Sequence, residues 1–259
     1  MSISLQGKKI LITGASSGIG KATAIACAKA GMHCVITARR EQALKQLTNS
    51  LGERCSYIVG DLTKKGFNKR LLDEAGEVYA VFANAGHGLN QTMISCDLDQ
   101  VKSLFDLNVF ATVELISLAA KTMSIQKNGH IIINTSCLSK FSVPLHSAYC
   151  GSKSAMESIA KAMRIELKKY NVFVSTLHPI GTKTEFFIES AKRSSVKTSE
   201  FKKEIPSWFM QPPEKVASAV VQCLKKPKAE VWTSSVMRLI STAFCASPRL
   251  AELIVSRKS

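Results

Sequence analysis

Short apolar runs that alternate with stretches of helical period constrain this chain more than any other feature. The runs fall at residues 9–13, 34–38, 56–60, 79–83, 130–134 and 172–178. Between them the spacing predicts helices over 19–30, 42–51 and 63–75, one or two across 97–123, and a long one over 147–169. A strand that is apolar on both faces must be covered on both, and strand, helix, strand repeats force right-handed crossovers. The predicted class is therefore α/β, a Rossmann-type doubly wound parallel sheet with helices on both faces. At 259 residues and 46% hydrophobic, the chain can bury one such core, so a single domain over 1–259 is expected.

Composition removes several alternatives. The start, MSISLQGKKILITG, runs from its lysines straight into a strand pattern and lacks the apolar segment of a secretory signal, which predicts a cytoplasmic protein. Eight cysteines stand singly with no Cys-x-x-Cys pair, against both zinc and a disulfide framework. No apolar run reaches the ~18 residues of a bilayer span, so any membrane contact is expected to be peripheral. The net charge of +16 favours anionic partners. Zinc-finger spacing, a basic region with heptads and an aromatic RNA-binding strand are all missing, so no nucleic-acid partner is expected, and a phosphate-bearing cofactor accounts for the charge.

The chemistry-bearing residues begin at TGASSGIG, 13–20, directly after the first strand and at the opening of a helix. Gly14 suits a tight turn, Gly18 a close approach of backbone to pyrophosphate, and Gly20 close packing of helix on strand. The helix N-terminus then offers free N–H groups and a positive dipole to phosphate. A tight strand-to-helix turn without a ligand is the plainer alternative. At the end of the second strand, where an acid would take the ribose 2′-hydroxyl of NAD, stand Arg39 and Arg40, which suit a 2′-phosphate. Glu41, the nearest acid, is expected to begin the next helix. The predicted cofactor is NADP(H). In YCGSK, Tyr149 and Lys153 lie one helical turn apart and share a face. A phenol of pKa ~10 is a poor base in water, but an adjacent ammonium and an oxidised nicotinamide stabilise the phenolate.

The Gly-x-x-x-Gly-x-Gly spacing, NAG at 84–86, GDL at 60–62, DLNVFA around Asn108 and YCGSK together resemble the short-chain dehydrogenase/reductase family. The resemblance extends through most of the chain. It implies that Ser136, thirteen residues before Tyr149, is the catalytic serine, with Tyr149, Lys153 and Asn108 completing the set. Asn108 would anchor a water that reprotonates the site through Lys153. The resemblance also implies that Asn84 braces the sheet, that Gly86 lets the cofactor pass and that Asp61 bonds the adenine. Ser16, Ser17, Ile19, Leu62 and Ala85 are counted with these as cofactor contacts. In HPIGTKTEFF, Pro179, Thr182 and Thr184 match a further cofactor segment, although Ile180 stands where the family commonly has glycine.

His87, His146 and His178 stand near this site without a carboxylate to orient them or a metal-ligand spacing. They read as substrate wall or packed core, and no metal is expected. Residues 185–213 read as a substrate lid, and 235–259, apolar with basic flanks, as a tail that closes a substrate pocket, packs on the core or a second subunit, or lies on an acidic membrane surface. The expected activity is hydride transfer between NADP(H) and an alcohol or carbonyl, on a bulky apolar, lipid- or steroid-like substrate, in a homodimer or homotetramer. A catalytically silent NADPH-binding regulator and a membrane-associated interaction protein on the same fold are the alternatives, and the intact Ser136, Tyr149 and Lys153 speak against silence.

Overall fold

The computed structural model describes residues 2–193 and 209–256. Most of the expected lid, 194–208, lies outside the described residues. Seven strands, β1 Lys9–Thr13, β2 His33–Ala38, β3 Cys55–Val59, β4 Ala80–Ala83, β5 Gly129–Asn134, β6 Val172–His178 and β7 Glu230–Trp232, form one parallel sheet in the order β3-β2-β1-β4-β5-β6-β7. Each predicted strand is present to within a residue at either end. The chain runs from β1 outward to β3 and then returns to pair β4 on the other side of β1. That reversal opens a crevice at the carboxyl ends of β1 and β4, where open α/β sheets take their ligands.

The helices are α1 Gly18–Lys29, α2 Glu41–Leu51, α3 Phe67–Ala75, α4 Leu98–Phe105, α5 Thr112–Gln126, α6 Ser147–Leu167, α7 Phe186–Lys192, α8 Pro213–Lys225, α9 Ser235–Ala246 and α10 Pro248–Ser256. Alternation along β1 explains the two layers. Ile10 and Ile12 face the core shared with Ala24 and Cys27 of α1 and Val216 and Val220 of α8. Leu11 faces the other core, with Leu71 of α3, Leu115 and Ile116 of α5 and Met156 of α6. Successive strand side chains point to opposite faces, so a continuous apolar run fills both layers. Ile10, Leu11 and Ile12 are all fully buried, and each such side chain contributes about 1.5–3 kcal/mol of transfer free energy.

Two sequence expectations are corrected here, and the reading of one or two helices across 97–123 is met. The helix read from residue 63 starts at Phe67, because Gly66 at its N-cap takes φ +78 and breaks the helical path. The segment read as one or two helices is a continuous helix over Leu98–Gln126, in which a π-helical turn, Asp106–Ala111, joins α4 to α5. That helix is also long and apolar enough to cross a bilayer by length and composition, contrary to the expectation that no segment reaches a span. Half of its most apolar window is buried, and Val109, Leu115, Ile116, Ala119 and Met123 belong to the core.

Candidate active site

The turn after β1 takes its shape from its glycines. Gly14 (φ +66) and Gly18 (φ +54) occupy backbone conformations that other residues rarely adopt. A Cβ on Gly20 would overlap the Gly14 carbonyl oxygen and lie 2.8 Å from Asn84 Nδ2, so only glycine lets α1 start this close to the strand. The first turn of α1 has no acidic residue and its N-cap, Ser17, makes no side-chain cap bond. Its free N–H groups, next to Ser16, Gly18 and Ile19 in the cavity wall, can therefore receive an anion such as a pyrophosphate. The glycine cradle and this uncapped helix start fit the dinucleotide that the sequence implied.

Asn84, at the end of β4, is the hub of this region. Its Nδ2 donates to Thr13 O at 2.9 Å and Gly14 O at 3.4 Å, and its Oδ1 accepts from Asn134 Nδ2 at 2.9 Å. Thr13 Oγ1 accepts from the backbone N–H groups of Asn84 and Ala85, both at 3.0 Å. The ends of β1, β4 and β5 are thus laced together through side-chain amides.

At the end of β2, Arg39 and Arg40 are both exposed. Arg40 donates Nε and Nη2 to Ser16 Oγ, both at 3.1 Å, and Nη1 to Glu185 Oε2 at 2.8 Å. Its hydrogen bond holds the Glu185 carboxyl below its usual range, and at half exposure the pair adds little stability. Glu41 opens α2, as expected. Burial works to raise the Asp61 pKa, but bonds from Thr63 N–H and O–H and the charges of Arg39 and Lys64 outweigh it and leave the carboxyl low. Leu62 is buried beside it.

The other half of the site gathers on α6 and the end of β5. Ser136, Tyr149, Lys153 and Asn108 are all buried and lie within one region of the fold. Lys153 Nζ donates to Asn134 O at 2.8 Å and lies 5.8 Å from the Tyr149 ring centre. Burial pushes the Lys153 ammonium down to about 8 and raises the Tyr149 phenol well above its usual range, against a lowering hydrogen bond from Ser136. At the phenol, desolvation outweighs that hydrogen bond. A phenol that keeps its proton can donate one to a carbonyl oxygen.

Asn108 owes its position to the π-helical turn. Its Oδ1 accepts from His87 N–H at 3.0 Å, and its Nδ2 donates to His87 O at 3.0 Å and Ser152 Oγ at 3.2 Å. A Cβ on Gly86 would stand 2.8 Å from Asn108 Oδ1, so glycine permits this contact. Asn108 therefore braces the turn after β4. On the far wall, Pro179 O accepts from Cys137 N–H at 3.1 Å, Thr182 Oγ1 donates to Ile180 O at 2.9 Å, and the Thr184 methyl packs on Gly18.

The glycine turn, Arg39, Ser136, Tyr149 and Lys153 line one cavity of about 1100 Å³ that ends in an apolar wall, and Asn108 stands behind that lining, bonded to His87. Phe186 meets the Tyr149 ring edge-on at 5.7 Å, and Met237, Ile240 and Phe244 of α9 and Ile254 and Val255 of α10 complete the wall. The tail therefore turns one face into the cavity and leaves Val236, Leu239, Leu250 and Leu253 exposed. Sequence reasoning missed Asn134 and Glu157. An amide closing the fifth apolar run marks the first, and the spacing of four after Lys153 on the same helix face marks the second.

His178 departs from its expected reading. Its Nε2 lies 3.3 Å from Glu157 Oε2, and one ligand atom each from Glu157, His178 and Glu230 falls within 4.8 Å of the others. A carboxylate does face it, because β6 and α6 pack side by side. Lys140 Nζ already bridges the two glutamates, at 2.8 Å to Glu157 and 2.7 Å to Glu230, and so supplies the positive charge of this cluster. His87 Nδ1 lies 3.1 Å from Gly88 O and His146 Nδ1 lies 3.0 Å from Pro144 O, in keeping with a wall role.

The profile of the short chain dehydrogenases matches residues 8–195. The chain belongs to the short-chain dehydrogenase/reductase family. It is 28% identical over 238 residues to an uncharacterised oxidoreductase of Listeria monocytogenes, covering 87% of this chain and 94% of that protein. It is 28% identical to mouse dehydrogenase/reductase SDR family member 7, covering 87% of this chain and 70% of that one. A short-chain dehydrogenase/reductase from Mycobacterium marinum superposes with a TM-score of 0.78 at 28% identity, over 88% of this chain and 94% of the other. A Burkholderia phymatum member of the family, solved with NAD, shares the fold at a TM-score of 0.87, 22% identity and 96% of both chains. The chain is thus an oxidoreductase of a family that works with nicotinamide cofactors and small-molecule substrates.

The folded pKa of Lys153 lies below the ordinary value of 10.5. The unfolded chain therefore binds this proton more tightly, and the stability cost of the buried ammonium is full below about pH 8 and fades as pH rises toward 10.5. In cofactor-free protein, the 13Cε resonance of Lys153 is expected to titrate near pH 8, and a midpoint at the ordinary 10.5 contradicts this account.

Proposed function

We propose that this short-chain dehydrogenase/reductase transfers hydride between NADP(H) and a bulky apolar carbonyl or alcohol. The observation that carries this reading is the convergence of Ser136, Tyr149 and Lys153 in one cavity with the glycine turn at one end and an apolar wall at the other. When bound, the nicotinamide supplies or takes up the hydride. The chain's own groups handle the oxygen. Ser136 Oγ orients the substrate oxygen, and Tyr149 delivers its phenolic proton in reduction or accepts the hydroxyl proton in oxidation. Lys153, held on Asn134 O, places a positive charge where the phenolate forms.

The glycine turn, the free first turn of α1 and the strand ends at Asp61, Asn84, Ala85, Gly86, Pro179, Thr182 and Thr184 are read as the cofactor's seat. Arg39 supports NADP(H) over NAD(H), since no carboxylate stands at the end of β2 and its guanidinium is exposed at the cavity rim while Arg40 is engaged with Ser16 and Glu185. Phe186, Met237, Ile240 and Phe244 support an apolar substrate. The exposed Leu98, Phe110 and Ile125 on the long helix support a homo-oligomer contact on that side.

Tyr149→Phe is expected to lower turnover of NADPH with decanal by about 10²–10⁴-fold while NADPH affinity, read by fluorescence, stays within a few-fold. Full turnover in that variant contradicts the proposed chemistry. Arg39→Asp is expected to shift the ratio of NADPH to NADH affinity about tenfold or more toward NADH, and an unchanged ratio contradicts the cofactor assignment.

A further inference from the structure

His178 is fully buried at the end of β6, outside the set of groups that handle the substrate oxygen, yet it touches that set from behind. Its Nδ1 lies 3.1 Å from the Ser136 carbonyl oxygen and 3.3 Å from both Thr135 Oγ1 and Ser139 Oγ. A carbonyl oxygen can only accept, so Nδ1 carries a proton and donates it to Ser136. Ser139 donates to the same carbonyl twice, from Oγ at 2.8 Å and from its backbone N–H at 3.1 Å.

The opposite edge of the ring is held as closely. Nε2 meets Thr176 Oγ1 at 2.9 Å and Glu157 Oε2 at 3.3 Å, and the ring stacks on Trp232 at 4.4 Å between centres and 11° between planes. Glu157 is fixed in turn by Lys140 at 2.8 Å, with Lys161 at 3.6 Å. Lys140 reaches Glu230, whose other oxygen accepts from Trp232 Nε1 at 3.0 Å. Tyr149, Lys153 and Glu157 follow at intervals of four on α6, so one helix face carries the phenol, the ammonium and the carboxylate beside His178.

We propose that His178 and Glu157 are positioning residues for the Ser136 hydroxyl. Through Nδ1 the imidazole holds the Ser136 carbonyl, and its ring packs between that carbonyl and Glu157 of α6, the helix that carries Tyr149, and so sets where Ser136 Oγ stands relative to the phenol. This rests on the reading of Ser136 and Tyr149 given above. Ser136 Oγ also accepts from Leu138 N–H at 3.1 Å, which provides a reporter of its position without cofactor or substrate.

The test is a double-mutant cycle read by NADPH oxidation with decanal, together with amide hydrogen exchange on cofactor-free protein. His178→Phe keeps a ring on Trp232 and removes both nitrogens, and Glu157→Gln keeps size and removes the charge. Each is expected to lower kcat, His178→Phe by about tenfold or more, and to do so far less in a Ser136→Ala background, since the effect passes through the hydroxyl that is already gone. The Leu138 amide is expected to exchange faster in His178→Phe while the amides of Ile131 and Ile132 in β5 keep their protection. If the His178 and Ser136 factors multiply, or if Leu138 and β5 lose protection together, His178 is merely structural and the proposal is overturned. Should His178→Phe not fold, Glu157→Gln is measured in its place and the same outcomes support or overturn the proposal. If Ser136→Ala alone leaves kcat unchanged, the reading of the site fails, which is a separate result.

Discussion

The structure depends on a chain of amide hydrogen bonds that crosses three strand ends. Asn84 takes hold of the glycine turn through Thr13 O and Gly14 O, Asn134 donates to Asn84, and the Asn134 carbonyl receives Lys153. The turn that fits phosphate and the helix that carries the phenol, Ser147–Leu167, lie far apart in the sequence. Their separation is set by these bonds across β1, β4 and β5. Neutral amides suit the task because one group can both donate and accept without the cost of burying a charge. Leaving one such group unmatched at this depth costs about 1–3 kcal/mol.

Charge is distributed around that lacing with the same economy. Lys153 is the ammonium held inside the cavity, and burial brings it down to about 8, whereas Arg39 and Arg40 stay at the exposed rim. Behind the site, Lys140 pairs with two glutamates, and the Glu230 carboxyl is held down to about 2 by Lys140 and Trp232 although burial acts to raise it. Paired charges lie behind the site, while the front of the cavity is apolar along α9 and α10. An apolar substrate and a phosphate-bearing cofactor would thus meet where Ser136, Tyr149 and Lys153 line the cavity.

Much of this was legible in the sequence, for physical reasons that also explain the omissions. Tyr149 and Lys153 share a face because four residues make one turn, and Gly14, Gly18 and Gly20 announce a turn because no other side chain fits there. The strands declared themselves as apolar runs, since both faces of the sheet are covered. Asn134 and His178 were not legible in the roles they play, because their partners come from neighbouring strands and α6, and lateral order in a sheet leaves no local pattern. Arg40 could be read as a cation at a strand end, but not as the partner of Glu185, 145 residues away. The π-helical turn that places Asn108 differs from its flanking helices by a single register step, which hydrophobic period does not resolve.

The central claim is that the two halves held together by Asn84 and Asn134 bring a nicotinamide and a substrate carbonyl into one reaction. Following deuterium from NADPH labelled at the nicotinamide C4 into a series of aldehydes and ketones of increasing chain length and bulk tests it most directly. The account predicts that at least one apolar carbonyl gains the label on its carbinol carbon in step with the loss of NADPH absorbance. Tight NADPH binding with no label in any product would contradict it and make the chain a silent binder on this fold.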